Sequence, residues 1–180
     1  MKYLPPLDPS WSLFLDRDGV INQRDFNGYI LKWSDFQFTP GLLENAGAIN
    51  ALFGHVFVVT NQQCVAKELI SSEDLAALHT QMIQELALHG LQIQHLVAAT
   101  EKKGEAPFRR KPNTTMALEI KALFPAVDFQ KSIMVGDTDA DIAFGKALGM
   151  LTILVRSQEK TTQIPDFYID HLAEIINLIQ

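Results

Sequence analysis

Short apolar runs alternate along the chain with stretches whose apolar residues recur every three to four positions. Leu13 to Leu15 form the first run and end in Asp16, which predicts a buried strand entering a charged loop. Residues 41 to 53 predict a helix, opened by Pro40 and Gly41 and stopped by Gly54. His55 to Val59, rich in β-branched residues, predict the next strand. Ser71 and Asp74 fit a capping box, behind which Leu75, Leu78, Met82 and Leu86 share one helical face until Gly90 ends it. Ile93 to Ala98 predict a third strand, and Met116, Ile120 and Leu123 a helix after Pro112. Ser132 to Val135 predict a fourth strand that ends in Gly136 and Asp137. A helix over 138 to 148 and a fifth strand over Leu151 to Val155 follow, and Leu172, Ile175, Ile176 and Ile179 predict a closing amphipathic helix.

Near-continuous apolar strands separated by helices imply an α/β fold: a central parallel sheet covered on both faces, in three layers. With 180 residues, no repeat and no low-complexity linker, residues 1 to 180 are expected to form one domain. In such sheets ligands bind beyond the carboxyl ends of the strands. Asp16, Thr60 and Asp137 each close a predicted strand, so three polar residues far apart in the chain should meet in one crevice.

Composition narrows the partners. The formal net charge is -6, and Lys and Arg are scattered apart from one short cluster, so no nucleic acid is expected. The single cysteine, Cys64, excludes an internal disulfide and a thiolate zinc cage; it is read as a small core residue. The N-terminal MKYLPPLDPS places two prolines where a secretion signal would need its apolar stretch. No apolar run approaches the ~20 residues that span a bilayer. A cytoplasmic protein with no membrane partner is the expectation, and a monomer is expected.

Four segments carry candidate chemistry. In FLDRDGV, Asp16 and Asp18 stand two residues apart past a strand end. Two close carboxylates repel unless a cation joins them, and a hard ion with oxygen ligands, most simply Mg2+, removes the conflict. In VVTNQ, the Thr60 hydroxyl can donate to a phosphate oxygen and Asn61 can help position a substrate. In FRRKP, Lys111 before Pro112 can neutralise charge that develops in phosphoryl transfer. In VGDTDAD, Asp137 and Asp141 are four residues apart and can face one ion; Thr138 and Asp139 also suit a helix N-terminus.

The order Asp-x-Asp, Thr, Lys, Gly-Asp-x3-Asp resembles the four signature motifs of the haloacid dehalogenase (HAD) superfamily, across about Leu13 to Arg156. FLDRDGVIN, the GYI at Gly28 to Ile30, VVTNQ and RKP are similar to the branch, subfamily IIIA, that holds D,D-heptose bisphosphate and histidinol-phosphate phosphatases. The resemblance implies a Rossmann-like sandwich and a phosphatase. By it, Asp16 attacks phosphorus, Asp18 is the general acid and base, and Thr60 and Lys111 hold the phosphoryl oxygens. Mg2+ would be bound by Asp16, the main-chain carbonyl of Asp18 and Asp137, with Asp141 in support. Arg110, directly before Lys111, would meet a remote anionic group of a small phosphorylated metabolite, such as a sugar phosphate or bisphosphate.

Two departures from the branch matter. It often carries a zinc loop with Cys and His ligands before RKP, but AATEKKGEAPFRRKP has neither residue, so no zinc is expected and the loop must be held otherwise. Cys64 stands where a glycine is usual after the TNQ segment. No stretch is long enough for a lid domain, so the site should lack a cap, with Asp25 to Phe38 and Thr100 to Arg110 as its rim. The alternatives are a histidinol-phosphate or polynucleotide-end phosphatase, a receiver domain, or a catalytically silent binding module. In a receiver the last acidic motif would precede the lysine, whereas here it follows it.

Overall fold

The structure, a computed structural model, describes residues 3–179. Its strands are β1 (Ser12–Leu15), β2 (His55–Asn61), β3 (His95–Ala99), β4 (Ser132–Gly136), β5 (Leu151–Val155) and β6 (Phe167–Ile169). They form one parallel sheet in the order β3-β2-β1-β4-β5-β6. The helices are α1 (Leu42–Asn50), α2 (Ser72–Leu88), α3 (Thr115–Leu123) and α4 (Asp139–Ala147).

Alternation along the strands builds two cores. Leu13, Leu15, Val56, Val58, Ile133 and Val135 point to one face and pack against α1 and α2 through Leu42, Ile49, Leu78, Met82 and Leu86. Phe14, Phe57, Val59 and Met134 point to the other and meet Met116 and Ile120 of α3 and Phe144 of α4. Strands apolar on both faces need both faces covered, which is why the runs read as continuous rather than alternating. The result is a Rossmann-like α/β sandwich with no lid domain inserted among the described residues.

From β1 the chain proceeds outward to β2 and β3, then returns to place β4 on the other side of β1. That reversal opens a crevice between the carboxyl ends of β1 and β4. The Asp16 N–H continues the ladder there, donating to Val135 O at 2.9 Å. Residues 16 and 137 thus leave adjacent strands side by side.

Several predicted elements differ in extent. The third strand is His95–Ala99 rather than Ile93 to Ala98, and the helix expected over 41 to 53 is Leu42–Asn50, begun at Gly41 with φ 73°. The closing segment is a 3-10 helix, Leu172–Leu178, with Ile179 as its cap; Leu172 and Ile175 bury and hold it to the α1 side. β6 was not anticipated: three residues with an exposed Tyr168 at the centre carry too little periodicity to read. Ser71 caps α2 as expected, its Oγ accepting the Asp74 N–H at 3.0 Å.

Gly136 at the end of β4 has no room for a side chain: an added Cβ would lie 2.1 Å from the Asp141 Cβ. Gly136→Ala is expected to destabilise the fold by about 1–3 kcal/mol by overpacking. A thermal melt checks this; an unchanged midpoint would mean that the β4–α4 turn yields freely.

Candidate active site

Lys111 anchors the site. The residue is 4% exposed, and its ammonium lies 2.8 Å from Asp16 Oδ1 and 2.7 Å from Asp141 Oδ1 and donates to Val59 O at 2.6 Å. Burial alone would lower its pKa, but Asp141 and Asp16 outweigh that and raise it, so the lysine stays charged. Asn61, at the end of β2, fixes the Lys111 backbone: Oδ1 accepts its N–H at 2.9 Å and Nδ2 donates to its carbonyl at 3.3 Å.

Asp16, Asp137 and Asp141 each offer an oxygen, and the three atoms lie within 4.8 Å of one another. Burial pushes the Asp16 pKa up to about 6, with Lys111 opposing. Burial, then the neighbouring Asp16 and Asp141, pushes Asp137 up to about 7. Asp137 Oδ1 is buried without a hydrogen-bond partner, while Oδ2 accepts from Arg24 at 2.9 Å. Clustered carboxylate oxygens, one of them orphaned, fit a hard divalent cation. Gly19, at φ 86°, lets the loop close over Asp137; a Cβ there would lie 2.3 Å from Oδ2. Asp141 combines both of its sequence readings. Its Oδ2 accepts the Thr138 N–H at 3.0 Å and hydroxyl at 2.6 Å, which starts α4, while Oδ1 faces Lys111.

Asp18 is clamped separately. Oδ1 accepts from Arg17 Nη2 at 2.8 Å and Asn22 Nδ2 at 3.0 Å, and Oδ2 from Gln62 Nε2 at 2.7 Å. Burial would raise its pKa, but Arg17 and these bonds hold it below the usual carboxylate range. Arg17 is itself fully buried, with Nη1 3.2 Å from His79 Nε2. Burial, with Arg17 adding, pulls His79 down to about 3, so a neutral ring faces the guanidinium.

The crevice is a cavity of about 590 Å3 whose lining includes Asp16, Asp18, Asn61, Arg110, Lys111 and Asp141. The flap contributes Arg24 to Phe26 and Gly28 to Ile30, and the loop before Lys111 contributes Lys103, as the rim expectation has it. Thr60 does not line it. Its Oγ1 accepts from Gln62 Nε2 at 2.9 Å and it is 1% exposed, so within the protein it braces the Gln62–Asp18 contact. Asn61 has its side chain engaged by the Lys111 backbone rather than free for a substrate. The two arginines divide. Arg109 pairs with Glu119 at 2.6 and 2.9 Å, whereas Arg110 lines the cavity with Nη1 buried and unpartnered by protein.

Sequence reasoning missed Arg17, Arg24, Gln62 and His79. Arg17 was readable only as a neighbour of the two aspartates, and a charge in FLDRDGV reads as solvated. Arg24 reaches Asp137 and, at 3.1 Å, Glu159, a contact across more than a hundred residues that no local pattern encodes. Cys64 is fully buried, as expected of a core residue.

A buried carboxylate beside a buried lysine, an acidic cluster at the switch point of a parallel sheet and an open cavity fit a phosphoryl-transfer hydrolase of the HAD type. The comparisons agree. Residues 108–175 match the Hydrolase-like family, described as HAD-hydrolase-like. The D-glycero-beta-D-manno-heptose-1,7-bisphosphate 7-phosphatase of Rhodopseudomonas palustris is 34% identical over 144 residues, 76% of this chain and 78% of that protein. The D-glycero-alpha-D-manno-heptose-1,7-bisphosphate 7-phosphatase of Campylobacter jejuni is 31% identical over 94% of this chain and 95% of its own. The crystal structure of D,D-heptose 1,7-bisphosphate phosphatase from B. bronchiseptica, complexed with magnesium and phosphate, superposes with a TM-score of 0.83. It is 25% identical, over 93% of this chain and 96% of that one. The chain belongs to the HAD-like hydrolase family and is a phosphatase. Among the described residues no helix is long and apolar enough to cross a membrane.

The raised carboxyls make stability depend on pH. Asp16 and Asp137 hold their protons to about 6 and 7 in the fold, against 3.8 otherwise. Their contribution is full below about pH 4 and is lost as pH rises through 6 and 7. His79, depressed from 6.5 to about 3, works the other way and costs stability as pH falls below 6.5. Between pH 4 and 6 the two carboxyls outweigh the single histidine, so metal-free protein should melt lower at pH 8 than at pH 5, and a divalent cation should raise the midpoint more at pH 8 than at pH 5. Melts in chelator and in MgCl2 check this; a cation effect equal at both pH values would show that the carboxyls do not govern it.

Proposed function

We propose that the chain hydrolyses a phosphate monoester on a small sugar bisphosphate, of the heptose 1,7-bisphosphate kind, through an aspartyl-phosphate on Asp16. The observation that carries this is the Asp16 carboxylate at 2.8 Å from Lys111, lining an open cavity beside an all-oxygen acidic cluster. The heptose bisphosphate phosphatases among its relatives, and the magnesium and phosphate in the B. bronchiseptica structure, support it.

One Asp16 oxygen attacks phosphorus as the ester P–O bond breaks. Lys111, fixed through Asn61, keeps Asp16 ionised and offers charge to the phosphoryl oxygens as they become more negative. Asp18 gives the departing oxygen its proton and later takes one from the water that cleaves the acyl phosphate. Arg17, Asn22 and Gln62 favour the carboxylate form that the second step needs. For the first, an incoming dianionic phosphoryl group raises the proton affinity of Asp18. Asp16, Asp137 and the main-chain carbonyl of Asp18, with Asp141 in support, would hold Mg2+, which when bound would supply positive charge to the phosphoryl group. We assign no zinc. Arg110 receives the second phosphate, for which its unpartnered guanidinium suits a bidentate contact.

Asp16→Asn should fold as the wild type does yet lose turnover about a thousandfold or more, roughly 4 kcal/mol of transition-state stabilisation. Steady-state hydrolysis and circular dichroism check this; wild-type turnover in the pure variant would remove Asp16 as the nucleophile.

Arg110→Ala should cost roughly 1.5–3 kcal/mol in kcat/KM on a sugar bisphosphate, and clearly less on a simple aryl phosphate. Equal losses on the two would place Arg110 in the reaction centre; no loss on either would leave remote recognition without a residue.

A further inference from the structure

Residues 100 to 111 contain no helix or strand, yet they deliver three of the four cations that line the cavity, Lys103, Arg110 and Lys111. No cysteine or histidine lies between His95 and Lys111, so this segment offers no soft metal ligand to staple it. What holds it is a carboxylate. Glu101, 8% exposed, turns one oxygen inward, and Oε1 accepts the N–H of Arg109 at 2.5 Å and of Arg110 at 2.8 Å. Two successive N–H groups on one anionic oxygen make a cradle whose bonds are charge-assisted. The Arg109 guanidinium is pinned to Glu119 on α3, and Asn61 takes both backbone groups of Lys111. Each residue from 109 to 111 is thus fixed by a side chain from elsewhere; for Arg110 that side chain is Glu101, which takes its N–H, while its carbonyl accepts the Asn113 N–H at 2.8 Å. Its own side chain is left free to face the cavity.

We propose that Glu101 is a positioning residue: it sets the Arg110 backbone so that the guanidinium meets the remote phosphate of the substrate. This rests on the recognition role given to Arg110 above. It has an electrostatic corollary. A negative charge beside a site for an anionic substrate is unfavourable in itself, so the useful property of Glu101 is its acceptor oxygen. Glu101→Gln keeps that oxygen and removes the charge. Glu101→Asp keeps the charge and withdraws the oxygen by one carbon, and Glu101→Ala removes both.

The test compares these three variants, Arg110→Ala and the Glu101→Ala/Arg110→Ala double variant on D-glycero-D-manno-heptose 1,7-bisphosphate and on p-nitrophenyl phosphate. The selectivity ratio, kcat/KM on the first over the second, should fall about tenfold in Glu101→Ala and in Glu101→Asp, through KM for the bisphosphate rather than kcat. Glu101→Gln should restore it to within about threefold, and the double variant should be no worse than Arg110→Ala, because the two act as one unit. Parallel losses on both substrates without rescue by Gln would reduce Glu101 to a general folding role and overturn the proposal. If Glu101→Ala does not fold, Asp against Gln carries the same contrast. A selective loss in Arg110→Ala with wild-type selectivity in Glu101→Asp would overturn the positioning role alone. No selective loss in Arg110→Ala would remove the recognition reading, and this proposal with it.

Discussion

The Lys111 ammonium, buried between Asp16 and Asp141, is the interaction on which the rest of the site depends. Three acidic side chains sit within 4.8 Å of one another under almost no solvent, and their mutual repulsion has to be offset locally. Lys111 supplies one positive charge and a bound cation would supply more. Removing one partner from such a buried group costs on the order of 3–5 kcal/mol, because it strands the others. That cost explains why so much of the surrounding chain serves to place one lysine. Asn61 grips its backbone, Val59 O takes its third proton, and the end of β2 is where both residues begin.

The sheet order turns this electrostatic demand into a fold requirement. Asp16 and Asp137 come together because β1 and β4 are neighbours in register, with Leu15 beside Val135, and because the chain reverses direction there. Asp141 joins them one turn into α4, from the residue that also caps that helix. Gly136 and Gly19 are bare at the two places where backbone must pass against these carboxylates. Shifting the register of β1 against β4 by one residue would reverse both the core side chains and the acidic pair.

Sequence patterning made the main strands, the parallel sheet and the convergence of Asp16 and Asp137 legible, because buried strands leave long apolar runs that end in polar residues. It located Lys111 and Asp141 through the order of the motifs. Contacts made across the chain were not legible. Thr60 and Asn61 both sit at a strand end, but nothing local shows that one braces Gln62 and the other grips Lys111. Arg109 and Arg110 are adjacent and chemically alike; only the position of Glu119 on α3 shows which is already paired. β6 escaped because three residues carry no period, and the final segment kept its apolar spacing while winding as a 3-10 helix.

The clamp around Asp18 sets the two carboxylates of FLDRDGV apart. They stand two residues from each other, yet burial drives the first up to about 6 and Arg17 holds the second below the usual range. Each environment suits a different task. In the proposed mechanism Asp16 is the nucleophile, and a carboxylate whose proton affinity is raised is the stronger one, provided that Lys111 and a cation keep it ionised at neutral pH. In the same mechanism Asp18 exchanges a proton twice per turnover, so its bonds have to tolerate both forms. Asn22 and Gln62 are neutral donors and Arg17 is a charged one, so protonating Asp18 costs chiefly the attraction to Arg17. His79, neutral because it is buried against that same guanidinium, accepts from Arg17 without competing for its charge. A carboxylate or a protonated ring in its place would change the charge seen by Asp18. On the proposed mechanism the buried pair of Arg17, in the loop after β1, and His79, on α2, therefore governs how readily Asp18 gains and loses its proton.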